Sequence, residues 1–328
     1  MRRGERGEWV ARLQAEAGNL VAAARWYIAH DPEPLRHLFR VLAPWILWPF
    51  LGLQDPTGET RSWIERMLPT ADSLAPLPRA ELLGTGVLPA LETSDGEAAL
   101  ARRDRLAPLL DQIDDPYLRA VGQLTLSWTS VLVWDVDRGV REASAALERL
   151  RGLDEPLWTA VALTTVGSLE TVTGRHADAL RHLTEVRELA ERFGNDWLVA
   201  SARVQLGMLS MAQGRVDEAA AAFDDALDRS LAADNTHSVT IALVAFARLA
   251  FARGDPERAA QLMGAADGLR RRAGLKVWTS VRAEDRLISQ IRAALEAEPF
   301  DDAFASGSGF SRSEAVAVAQ LDAQATPS

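Results

Sequence analysis

The chain has 328 residues, a net charge of −10, 48% hydrophobic residues and no cysteine. The acidic balance argues against sequence-independent binding to nucleic acid, which needs a basic surface that neutralises phosphates. The absence of cysteine excludes disulfides, thiolate nucleophiles and cysteine-ligated metals. We therefore expect no direct nucleic-acid partner.

Two further features argue against a membrane anchor and against Walker-type ATP hydrolysis. No apolar run approaches the roughly 18 residues that span a bilayer, since the stretch from Val41 to Leu53 contains two prolines. The only lysine, Lys276, lacks the preceding glycine frame that a P-loop requires. The N-terminus leads directly into an amphipathic pattern without a leader peptide, and we expect a cytoplasmic protein without cofactors.

Residues 1–75 differ from the rest of the chain and predict a helical segment that packs on the array that follows. Residues 9–26 have the apolar spacing of an amphipathic helix. Large aromatic side chains commonly dominate cores, so we expect Trp45, Trp48 and Trp63 to seal the junction between this segment and the array. An aromatic box for a ligand is the alternative.

Three glycine-led turns recur at a fixed interval in the centre of the chain. Gly174, Gly214 and Gly254 lie 40 residues apart, each between two amphipathic helical patterns. A supersecondary unit that recurs at a period of about 20 to 50 residues must share its core with stacked neighbours. The sequence therefore predicts an all-α fold, an α-solenoid of helix-turn-helix repeats with a period of about 40 residues. We place the array at 76–275, with four clear units after residue 116 and a weaker one before it.

Both helices of a unit carry an apolar stripe, with small residues where the two helices must approach closely. In the clearest unit, Gly207 lies on the first helix, here called helix A, and Ala219, Phe223 and Ala226 lie on the second, helix B. This order of small and aromatic residues resembles the tetratricopeptide repeat (TPR). The period of that family is about 34 residues, so longer helices are expected here.

Residues 276–320 are predicted to cap the array, and residues 321–328 to form a disordered tail. The stretch from Thr279 to Ala297 has the pattern of one long helix. The run Ser311–Glu314 is a capping box that starts a short terminal helix. Because glycine and serine alternate in Ser306–Gly309, we expect a flexible loop there.

Short motifs at both ends of the chain resemble one regulatory family. These motifs are the helix from Trp9 to Trp26, the segment Trp63-Ile-Glu-Arg66, the run from Gly254 to Asp267 and the segment Ser313-Glu-Ala-Val316. Together they resemble the C-terminal helical-repeat region of actinobacterial STAND-type predicted ATPases and LuxR-type transcriptional regulators. The resemblance implies a sensor or interaction role in signalling. No nucleotide-binding or helix-turn-helix part of that family is expected within this chain.

The sequence predicts no catalytic, metal or cofactor site. The five histidines have no partner at the spacing of a helical metal pair, and we expect them at the surface or at helix caps. The run Arg270–Arg272 closes a helix B, where cations complement the helix macrodipole, and contact with an acidic partner is the alternative. We therefore expect no enzyme, and an enzyme of unrecognised type is a third hypothesis.

The helix A face that lines the concave side of TPR arrays is predicted to be largely apolar, and we call it the inner face. An exposed apolar groove marks a binding site for a helix, a peptide or an apolar ligand. We expect a protein or peptide partner, with a small apolar effector near Trp128 as the alternative. In a further alternative, the C-terminal helices fill the groove. The predicted inner-face residues are Trp128, Thr164, Ser168, Val204, Met208, Val244, Arg248 and Phe251.

Overall fold

The computed structural model describes most of the chain after residue 60. The described residues are 60–92, 95–132, 135–153, 155–192, 194–273 and 281–322, together with isolated positions between 16 and 30. Within these ranges the structure is helical and contains no strand, which confirms the predicted all-α class. The predictions for Trp45, Trp48 and residues 323–328 lie outside the described residues, as does that for the side chain of Trp63.

Among the described residues, ten consecutive helices begin at intervals of 20 residues, so that two helices make one repeat of 40. They follow α1 (Thr60–Met67) and a short 3₁₀ turn (Leu68–Ser73). The predicted helix-turn-helix period is therefore confirmed. The ten helices are α2 (Pro76–Glu92), α3 (Gly96–Leu110), α4 (Pro116–Leu132), α5 (Val136–Gly152), α6 (Pro156–Val172), α7 (His176–Arg192), α8 (Asp196–Ala212), α9 (Val216–Ala232), α10 (Thr236–Ala252) and α11 (Pro256–Arg272).

The turn glycines adopt the backbone conformation that their positions predict. Gly174, Gly214 and Gly254 have φ angles of 75°, 75° and 82°, in the left-handed region that glycine enters without a Cβ penalty. After the last of these turns the side chain of Asp255 accepts a hydrogen bond from the Arg258 N–H, and a proline occupies the first helical position. The turn therefore ends one helix and starts the next within three residues.

The chain divides into two compact units, residues 1–159 and 160–328. In the first unit, Leu83 and Leu106 are buried in the core between α2 and α3. Gly122 on α4 lies against Leu110 on α3, where an added β-carbon would be 3.3 Å from one methyl group and closer to the other. The boundaries predicted at residues 75 and 275 stay predictions.

The second unit is built around Phe223 on α9. This side chain is fully buried and meets the ring of Phe246 on α10 at a centroid distance of 5.9 Å and an angle of 65°. Gly207 on α8 faces the same ring, and an added β-carbon there would lie 2.7 Å from Phe223 Cδ1. The missing side chain at Gly207 lets helix A and helix B approach closely, as the repeat pattern predicts.

Three shorter helices follow the array and belong to the second unit. The single long helix predicted for residues 279–297 ends at Leu295, because Glu296 has a φ of 68°, which a right-handed helix cannot contain. The prediction of a flexible loop at Ser306–Gly309 is wrong, since these residues form the last turn of a helix. The helices are α12 (Val281–Leu295), α13 (Ala297–Gly309) and α14 (Arg312–Ala319).

The glycine-rich turn is helical because α13 packs against α11 with the two backbones nearly in contact. A β-carbon added at Gly268 would lie 2.9 Å from the carbonyl carbon of Ser308. In the reverse direction, one added at Gly307 would lie 2.6 Å from the carbonyl carbon of Gln261. Composition predicts a loop there, but only glycine permits this approach, and the packing decides the conformation.

The terminal helix α14 begins as predicted and also docks on the array. Ser311 and Glu314 form both hydrogen bonds of the capping box. Arg258 on α11 donates to the carbonyl oxygens of Val318 at 2.9 Å and Ala319 at 2.8 Å. The last carbonyls of α14 are therefore bound by a cation from the last helix B of the array.

Candidate partner-binding face

Four of the predicted inner-face residues belong to one apolar cluster in the second unit. Val204 on α8 and Val244 on α10 are 6% and 7% exposed and form part of this cluster. Met208 and Phe251 are half-buried and pack against it. The structure therefore brings these four side chains together, two as core and two as partly exposed surface.

The other four predicted residues are placed differently. Arg248 on α10 is half-buried, and so are Thr164 and Ser168 on α6. The Thr164 hydroxyl donates to the carbonyl of Ala160 at 2.8 Å, within its own helix. Trp128 is half-buried on α4 and belongs to the first unit. These residues are not members of the apolar cluster of the second unit.

A small cavity lies beside the inner face between α8, α9 and α10. Its lining includes Trp197, Val204, Ser230 and Ser238. Its volume is about 10 Å³, which accommodates about one water molecule. The buried Ser238 hydroxyl makes no hydrogen bond within the protein, so one wall of the cavity is polar. The cavity therefore suits a water molecule better than an apolar effector.

A buried ion pair joins the end of the array to α12. Arg270 on α11 donates to the two carboxylate oxygens of Glu284 at 2.8 and 3.2 Å, and its Nε donates to Thr240 Oγ1 on α10 at 3.2 Å. Arg270 and Glu284 are only 7% and 8% exposed. The structural role predicted for the run Arg270–Arg272 therefore rests, at its first residue, on a buried partner rather than on the helix macrodipole alone.

Two ionisable side chains on α10 lie near this ion pair. His237, predicted at the surface, is buried, and burial together with the charge of Arg270 lowers its pKa to about 4. Burial also lowers the pKa of Arg248, while the negative charge of Glu284 opposes that shift. His237 is therefore neutral near neutral pH, whereas both arginines remain charged.

The repeat alignment contains a signal for this buried cluster that the sequence reasoning missed. His237 and Arg270 lie 40 residues after Trp197 and Ser230, and both of those positions are buried. A polar side chain at a repeat position that is buried elsewhere needs a buried partner. The partner Glu284 lies on α12, outside the repeat, so the alignment could not have identified it.

A second polar contact recurs between helix A and helix B at the repeat spacing. In the first unit the Ser130 hydroxyl donates to Glu142 at 2.8 Å. In the second unit, 40 residues further on in both helices, Glu170 Oε2 and His182 Nδ1 lie 2.7 Å apart. His182, predicted at the surface, is half-buried by this contact. The pairs hold α4 to α5 and α6 to α7.

Two features of other functional classes do not occur in the part of the chain that the structure describes. No group of three or more histidine, aspartate or glutamate residues there could hold a metal ion. No helix within those ranges has both the length and the apolar character needed to cross a bilayer.

No protein-family model matches the sequence, and no curated protein matches it. Solved structures nevertheless resemble its fold. A Rap protein complexed with competence and sporulation factor matches with a TM-score of 0.56 and 12% identity, over 96% of this chain and 99% of that one. A STAND protein with a tetratricopeptide repeat sensor from Pyrococcus horikoshii gives 0.51 and 15%, over 91% and 45%. BtubC from P. vanneervenii gives 0.49 and 16%, over 67% and 93%.

At these identities the likeness concerns the fold alone. Together with the 40-residue helix pairs, it makes the chain an all-α protein of TPR-like helical repeats. The chain spans about half of the STAND protein it resembles, 45% of that chain. The predicted TPR-like architecture is confirmed.

Proposed function

We propose that this chain is a non-enzymatic helical-repeat module that binds a protein or peptide segment along the inner face of its second unit. We further propose that it acts as a sensor or scaffold in a signalling or transcriptional regulator system of the actinobacterial STAND or LuxR type, in the cytoplasm. The sequence resemblance supports this, as does the fold likeness to the sensor-bearing STAND protein and to Rap, which was crystallised with a bound factor.

The observation that carries the proposal is the partial exposure of Met208, Met211 and Phe251 on one apolar cluster. Removing such side chains from water on binding contributes about 25 cal/mol for each Å² of apolar surface buried. Methionine adapts its shape to different partners. A segment that lies across α8 and α10 would bury all three side chains at once.

A small apolar effector is the weaker candidate. The cavity beside Val204 has a volume of about 10 Å³ and a polar wall formed by Ser238, whereas ligand pockets usually measure about 300 to 1,000 Å³. An open face with adaptable side chains suits an extended or helical peptide better. We therefore assign the inner face to a peptide segment.

The proposal is tested by panning a phage-displayed library of random peptides against the full chain. We expect enrichment of peptides rich in apolar residues that bind the wild type and lose binding to Met208→Asp. Phe251→Ser should weaken the same peptides. Circular dichroism and thermal unfolding of each variant verify that the loss is not a loss of fold.

The matched control is Leu180→Asp, which places the same charge on an exposed apolar residue of a helix B. Binding should survive this change, because Leu180 is not an inner-face residue. Selected peptides that tolerate Met208→Asp and Phe251→Ser but are lost with Leu180→Asp would assign the binding site to another surface. A library that yields no binding peptide would count against the proposed function itself.

A further inference from the structure

The charged side chains beside the inner face do not balance. Two guanidinium groups, those of Arg248 and Arg270, are served by one carboxylate, that of Glu284. His237 is neutral near neutral pH and adds no charge. This group of four side chains in the second unit therefore carries a net charge of about +1 inside a largely apolar setting.

The two arginines are not equivalent toward Glu284. Arg270 binds both carboxylate oxygens in a forked arrangement, at 2.8 and 3.2 Å, and both residues of this pair are buried. Arg248 is half-buried and feels the same carboxylate as a neighbouring charge. A carboxylate that already accepts a bidentate arginine gives a second cation less compensation than a dedicated partner would.

Arg248 also lies where a bound segment would pass. It shares one face of α10 with Val244 and Phe251, at spacings of four and three residues. Val244 belongs to the apolar cluster and Phe251 packs against it. A cation that is partly desolvated and flanked by apolar side chains is stabilised when a ligand brings an anion to it.

We propose that Arg248 selects the partner, by binding a carboxylate of a peptide segment whose apolar residues cover Met208 and Phe251. The carboxylate is an aspartate or glutamate side chain or the C-terminus of the segment. This inference rests on the proposed function and specifies the chemistry of its ligand. An acidic, apolar peptide is thus the expected occupant of the inner face.

The experiment uses peptides selected against the full chain, each made in pairs that differ by a single Asp→Asn or Glu→Gln change, or by amidation of the C-terminus. For the wild type, neutralising the critical carboxylate should weaken binding about tenfold to hundredfold, as expected for a charge-assisted hydrogen bond. For Arg248→Gln the acidic and neutral peptides should bind equally. Arg248→Lys should keep the preference for the acidic peptide with reduced affinity.

The control is Arg271→Gln, which removes an exposed arginine of α11 that pairs with Asp267 and should leave the preference unchanged. Peptides that bind, lose affinity with Met208→Asp and show no difference between acidic and neutral forms would overturn the role of Arg248 and leave the proposed function intact. Failure of every peptide to bind would overturn both.

Discussion

Gly207 and Phe223 define the closest approach of helix A to helix B in the second unit, because the glycine Cα lies against the face of a fully buried ring. No rotamer of Phe223 is free to move away, since the ring also packs edge-on against Phe246 at 5.9 Å. A side chain at residue 207 must therefore push the two helices apart.

We predict that Gly207→Ala lowers the free energy of unfolding by about 1 to 3 kcal/mol, the usual cost of overpacking a core. The matched control is Gly152→Ala at the end of α5, where an added β-carbon would meet nothing within 4 Å. That change should be neutral or stabilising by up to about 1 kcal/mol, because alanine favours a helix over glycine. Urea unfolding of both variants provides the measurement, and equal stabilities would contradict the close approach.

A stronger effect is expected where α13 meets α11. Gly268→Ala would place a β-carbon 2.9 Å from the backbone carbonyl carbon of Ser308, and backbone atoms cannot rotate away as a side chain can. We predict a loss of at least about 2 kcal/mol and faster amide hydrogen exchange in α13. Gly309→Ala, which meets nothing within 4 Å, is the control. Unchanged exchange in Gly268→Ala would mean that α13 is not held at this contact.

The buried pair between Arg270 and Glu284 should stabilise the position of α12. Glu284→Gln leaves a buried guanidinium without its counter-charge, and we predict a loss of about 3 to 5 kcal/mol in the free energy of unfolding. Asp301→Asn removes a similar ion pair with Arg292, but both of its side chains are more than half exposed, and the expected change is below about 1 kcal/mol. Similar losses in the two variants would refute the assigned burial.

The stability of the second unit should depend on pH through His237. Its pKa is about 4 in the folded chain and 6.5 in an ordinary environment, so the unfolded chain binds more protons between these values. Stability therefore falls as the pH drops through that window, by about 3 kcal/mol in total.

The measurement is urea unfolding of the wild type and His237→Gln at a series of pH values. Contributions from the carboxylates occur in both proteins and cancel in the difference. The advantage of the wild type over the variant should shrink steadily from pH 6.5 toward pH 4. Two curves that stay parallel would show that His237 titrates normally in the folded chain.

The repeat predicted the fold well because its signals are local. The left-handed conformation of Gly174 and the start of a helix at Pro256 depend only on nearby residues. The same holds for the capping box at Ser311. Spacings of three, four and 40 residues then identify which positions share a buried stripe.

The inner-face cluster and the charged group needed information from distant parts of the chain. The helix ending at Gly309 was expected to be a loop, because composition alone does not show that α11 approaches it closely. Arg270 was assigned to a helix end, since its partner Glu284 lies on a helix outside the repeat. Tertiary packing overrides local propensity at both places.

The equal spacing of the helix starts gives the array a fixed unit of growth. Deletion of residues 174–213 would remove one helix B, one helix A and one turn, and would join Thr173 to Gly214, a turn of the same kind. Insertion of a single residue within a helix would instead rotate the rest of that helix by about 100° and turn its apolar stripe away from the core. The length of the inner face can therefore change during evolution only in whole steps, each adding or removing one helix A.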